Sequence, residues 1–123
     1  MKFYSNEIYP IGLVLSHDAE SVNEHYTLSD GSDVTSTSLE EATTYTLTRR
    51  TDKYHAMAVG IIFRSPITDR LSTHEGFHAA CFIMNRLGIP LSDNSEEAWA
   101  YLIGWIGECI DKFCNDTDGI EEI

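Results

Sequence analysis

Residues 65–90 constrain this chain more than any other stretch. Ser65-Pro66 opens the segment, and Gly88 followed by Pro90 closes it. Proline suits the start of a helix and glycine the position just past its end, so the bracket predicts one helix from about Asp69 to Leu87. Phe77, Ala80, Cys81, Phe82, Ile83, Met84 and Leu87 make it apolar almost all round, as a helix enclosed by other elements must be. The rest of the chain therefore has to pack around it, and 123 residues suit a single domain, 1–123, with one core.

A second helix is predicted from Asn94 or Ser95 to about Phe113. Trp99, Leu102, Ile103, Ile106, Ile110 and Phe113 recur at helical spacing and form its buried stripe. With Asn94 as N-cap, Glu97 would occupy the third helical position of a capping-box-like start. Gly104 and Gly107 cost a helix roughly 1 kcal/mol each relative to Ala, which implies that a neighbouring backbone comes close there.

The first half has strand character. Ile8 to Leu15 reads as a strand, Asp18 to Tyr26 as a short helix, and Thr27 to Thr44 as a polar loop. Within that loop Asp30-Gly31-Ser32-Asp33 is a turn, because the ligand series of a calcium loop is missing. Thr43 to Arg49 and Tyr54 to Arg64 form a hairpin joined around Thr51 and Asp52, and Asp116 to Gly119 an acidic tail. The predicted fold is α+β: a small, mostly antiparallel sheet of about three strands packed on two carboxy-terminal helices, with the short helix covering an edge or the opposite face.

Charge narrows the function classes. The formal net charge of −12 repels a phosphate backbone, so direct nucleic-acid binding is not expected. No apolar run approaches the ~20 residues of a membrane span, and no Lys/Arg-rich amphipathic helix is present. Without a basic region ahead of an apolar one at the amino terminus, the expected compartment is the cytoplasm. Cys81, Cys109 and Cys114 have no metal-finger or redox spacing and read as thiols packed in or near the core, with a zinc role left open for Cys81.

The chemistry is carried by His74-Glu75-Gly76-Phe77-His78, the HExxH pattern, inside the central helix. Four residues advance a helix by about 6 Å and return the side chain to within ~40° of its starting direction, so both imidazoles can reach one metal ion. Glu75 lies ~100° round from His74, too far to be an equivalent ligand but placed to act as general base on a water activated by that ion. The alternative is a pair of hydrogen-bonded helix histidines with a surface Glu. Against it stands the cost of setting three polar groups in the most apolar helix of the chain. A catalytic zinc with one open position takes three protein ligands, and Glu97 or Glu96 would be the third. Glu97 shares a stripe with Tyr101, Gly104 and Glu108, from which Glu96 is turned by ~100°.

The run Thr73 to Cys81, followed about twenty residues later by Glu97-Ala98-Trp99-Ala100-Tyr101, resembles the gluzincin arrangement of zincin metallopeptidases, and most of all small zincin-like proteins of phages and mobile elements. The resemblance covers Asp69 to Phe113. It implies a minimal zincin-like fold, Zn²⁺ held by His74, His78 and Glu97, and Glu75 as base. The chain has no second subdomain to wall a groove, so substrate would add as a strand to Tyr54–Phe63. His55 and Tyr101 are candidate oxyanion stabilisers, whereas His17 and His25 read as surface residues. The expected function is a zinc-dependent hydrolase, a peptidase acting on a protein or peptide. Two rivals stand beside it: an inactive zincin-scaffold protein that docks a protein partner, and a metal-free acidic DNA mimic.

Overall fold

A computed structural model describes residues 1–35, 38–50 and 56–115. In chain order the elements are β1 (Lys2–Tyr4), β2 (Gly12–Ser16), α1 (Ala19–Asn23), β3 (Tyr26–Leu28), β4 (Ala42–Arg49), β5 (Met57–Phe63), α2 (Asp69–Leu87) and α3 (Glu96–Cys114). The fold is α+β, with two long helices packed on a five-stranded sheet ordered β1-β2-β5-β4-β3.

Alternation along the strands creates two cores. Leu13, Leu15, Val59, Ile61 and Phe63 face α2 and α3, where they meet Ala80, Ile83, Met84, Ile106 and Ile110. Val14, Ala58, Ile62 and Leu47 face the other way and are covered by Ala19, Val22, Tyr26 and Val34. The short helix α1 therefore covers the face opposite the long helices. The two central strands, β2 and β5, run parallel, and both are apolar along nearly their whole length because each is buried on both faces. The other three pairings are antiparallel.

The β4–β5 pairing confirms the hairpin, from Ala42 opposite Phe63 to Thr48 opposite Met57. Its connection at Thr51 and Asp52 lies outside the described residues, as do Tyr54, His55 and the acidic tail. Two elements escaped the sequence reading: β1 and β3 are three residues each, too short to show a period of two. The Ile8–Leu15 strand begins only at Gly12, since Asn6 Oδ1 accepts from the Ile8 and Tyr9 amides and bends the chain there. The polar loop yields its ends to β3 and β4. It is also anchored midway, because the Asn23 side chain brackets the amide and carbonyl of buried Val34. Its Asp30–Asp33 stretch is a turn, with Gly31 at φ 87° and the Ser32 amide donating to Asp30 Oδ1.

Helix α2 has the predicted bounds, and both ends show why. Thr68 caps the start, its Oγ1 accepting from the Leu71 amide at 3.1 Å. Gly88, at φ 71°, closes the end while the Ile89 amide returns to the Met84 carbonyl and the Gly88 amide to that of Asn85. The start of α3 differs from expectation. Ser95 stands at the N-cap, and its hydroxyl donates to the Pro90 carbonyl and accepts from the Ser92 amide. That shifts Glu97 to the second helical position and removes the capping-box geometry.

The glycine expectation is also corrected. A methyl group on Gly104 or Gly107 would meet nothing within 4 Å, so neither marks a close approach. Gly76 is the glycine that faces α3: a methyl there would stand in ordinary contact, 3.4 Å from Ile106 Cγ2 and 3.7 Å from Ile110 Cδ1. Among the described residues no helix is long and apolar enough to cross a membrane.

Candidate metal centre

Two directions organise α2. Its Gly76 side faces α3, and its Glu75 side faces β4, leaving His74 and His78 on the flank that overlooks the chain entering β4. There, residues 40–44 and α2 enclose a groove of about 430 Å³, lined by Glu40, Glu41, Thr44, His74, Glu75 and His78 among others.

The Nε2 atoms of His74 and His78 are 3.2 Å apart, and their rings are inclined at 80°. His74 Nε2 is also 3.7 Å from Glu75 Oε2. Three ligand atoms, one from each residue, lie within 4.8 Å of one another. Two imidazole nitrogens on one tetrahedral zinc, each at about 2.0–2.1 Å, would stand roughly 3.3 Å apart. The separation of the two nitrogens matches that of a shared ion, and it is equally that of a hydrogen bond between the rings.

Glu75 is the exception among the three. It is only 6 % exposed, in contrast to the open His74 side chain. A buried carboxylate is costly unless hydrogen-bonded, and Thr44 Oγ1 donates to Glu75 Oε1 at 2.8 Å. Alternation puts Thr44 on the helix-facing side of β4 with buried Ala42, and so directly under α2. Thr44 was not foreseen as a site residue. Its partner is 31 positions away, and only the strand register joins them.

Glu97 is not brought into the group. Helix α3 buries Trp99, Leu102, Ile106 and Ile110, and Glu97 is ~200° round from Trp99. It is exposed, like Glu96, Tyr101, Gly104 and Glu108, so the stripe taken for a metal-facing one turns outward. Moreover, α3 packs on the Gly76 flank of α2, away from the histidines. Tyr101 lines a different cavity, of about 650 Å³, between residues 3–9 and α3. That cavity shares no lining residue with the histidine groove.

His55 lies outside the described residues. His17 is exposed, as expected of a surface residue, with its Nδ1 3.2 Å from the Phe63 carbonyl and its ring against Phe113. None of the three cysteines joins the metal group. Cys109 is buried and Cys81 half-buried, as expected, whereas Cys114 is exposed; burial pushes the Cys109 thiol up to about 12.

Strand β5 offers no edge for substrate, because β2 and β4 pair with it on either side. Beside the histidine groove the edge is that of β4. Strand β3 pairs with Leu47, Thr48 and Arg49 only, and among the described residues no strand takes that side of Ala42–Thr46.

No protein-family model, curated protein or solved structure matches this chain. What the site supports therefore rests on its own geometry.

Proposed function

We propose that this chain is a zinc-dependent hydrolase that cleaves a peptide or an extended protein segment. The observation that carries the reading is the convergence of His74 Nε2, His78 Nε2 and the buried Glu75 carboxylate on one side of a groove. His74 and His78 would hold the ion; among the described residues only Glu75 joins their group, so with Glu75 as base the third protein ligand of a catalytic zinc is not one of them. When bound, zinc polarises a carbonyl and makes water a nucleophile near neutral pH.

The chain's own residues do the rest. Glu75 has one oxygen engaged by Thr44 and the other facing the histidines, so Oε2 is the atom that takes the proton as water attacks the carbonyl carbon. The same oxygen then delivers that proton to the departing amine. An extended peptide would lie along Ala42–Thr46 of β4, beside which no strand stands among the described residues, adding as a strand that sets its carbonyl over the groove. Glu97 and Tyr101 have no part in this reading, because both lie on the outward face of α3.

Glu75→Gln tests it. The variant keeps shape and hydrogen bonding but cannot accept a proton. It should retain zinc while hydrolysis of a peptide from a diverse library falls on the order of 10²-fold to 10⁴-fold. Undiminished hydrolysis would remove Glu75 from the chemistry. Zinc held by a wild-type protein that cleaves nothing would favour the inactive scaffold that docks a protein, and protein that takes up no zinc would favour the metal-free acidic protein.

A further inference from the structure

Proximity alone leaves Glu75 with two possible jobs. Its Oε2 is as near to His74 as a third ligand would need to be, and all three residues fall within one ligand-sized group. What separates a ligand from a base is which way the carboxylate is held.

We infer that Thr44 is a positioning residue, one that ties Glu75 to β4 and keeps it outside the metal's coordination sphere, so that it serves as base. This rests on the zinc-site reading above. The Thr44 hydroxyl has one proton and two acceptors within reach, Glu75 Oε1 at 2.8 Å and the Glu75 carbonyl at 3.4 Å. The shorter, charge-assisted bond takes the proton. Thr44 is fixed in turn by its strand register opposite Ile61, so the tether runs from the central sheet to a single oxygen. Glu75 is buried between α2 and β4, and losing this bond would free its carboxylate to turn toward the ion held by the two histidines.

The test is a cycle read by Co²⁺, whose visible spectrum reports the number and type of its ligands, with no substrate required. In the wild-type background Glu75→Gln should leave the cobalt spectrum unchanged and its affinity within about twofold, because Glu75 is not a ligand. In a Thr44→Val background the spectrum should shift and affinity should rise several-fold as the carboxylate enters the sphere. Adding Glu75→Gln to that background should abolish both changes. Val keeps the methyl and suits a strand, while Thr44→Ser keeps the hydroxyl and should restore the wild-type spectrum; matching far-ultraviolet circular dichroism checks the fold of each.

A Thr44→Val spectrum identical to wild type would overturn the inference. So would a wild-type spectrum that already depends on Glu75. Cobalt binding that is absent, or indifferent to His74→Ala/His78→Ala, would instead bring down the zinc-site reading itself.

Discussion

On one flank of α2, Gly76 lies against Ile106 and Ile110, with Ala80 and Ile83 wholly buried nearby. On the other, His74 and His78 stand exposed in a groove beside Glu75 and Thr44. Both flanks belong to the same nineteen-residue helix, yet they use its residues for opposite purposes. The α3 flank converts volume into stability, with Gly76 set against Ile106 and Ile110. The β4 flank leaves polar groups exposed and arranges them by hydrogen bond. A helix built this way can change its chemistry without changing its fold, and mutations should separate the two flanks.

The largest stability effect belongs to the α3 flank. Ile106→Ala and Ile110→Ala should each lower stability by about 2–5 kcal/mol, since both side chains are 1 % exposed and their loss leaves cavities. Zinc affinity of the folded fraction should stay unchanged. Urea denaturation with and without zinc checks both halves, and a loss of affinity matching the loss of stability would merge the two flanks into one unit. Gly76→Leu comes next. It overpacks the helix contact, at a cost of roughly 1–3 kcal/mol, although it changes a residue within HExxH.

The bounds of α2 were legible in the sequence because Pro66, Gly88 and Pro90 act locally through backbone conformation, although the Thr68 cap itself was not read. His74, Glu75 and His78 were legible because the helical period alone sets their spacing. Partners supplied by other elements were not. The phase of α3 depends on which face wins burial, and Trp99, Leu102 and Ile106 win it, which turns Glu97 outward. Thr44 reaches Glu75 only through the β4–β5 register, and the edge at Ala42–Thr46 exists only because β3 ends opposite Leu47.

Smaller effects sharpen the same contrast. Gly104→Ala and Gly107→Ala, on the solvent side of α3, should each stabilise by about 0.5–1 kcal/mol through helix propensity alone, because open space surrounds both. A thermal melt that falls would restore the idea of a close approach there. Glu97→Ala should have the smallest effect of all, with zinc affinity unchanged in a competition titration. A tenfold loss would return Glu97 to the ligand set and require α3 to be rearranged.

The central claim is that the His74–His78 pair is a metal site, and zinc content tests it most directly. Protein should be purified without chelators or metal-affinity resin, wild type beside His74→Ala/His78→Ala, and its zinc measured by elemental analysis. Outer-shell changes alone cost roughly 10–100-fold in affinity, so loss of both ligands should cost more. Binding should also weaken on acidification, since imidazoles ligate only when neutral. The account predicts one zinc per wild-type chain and none retained by the double variant; equal zinc in the two proteins would contradict it.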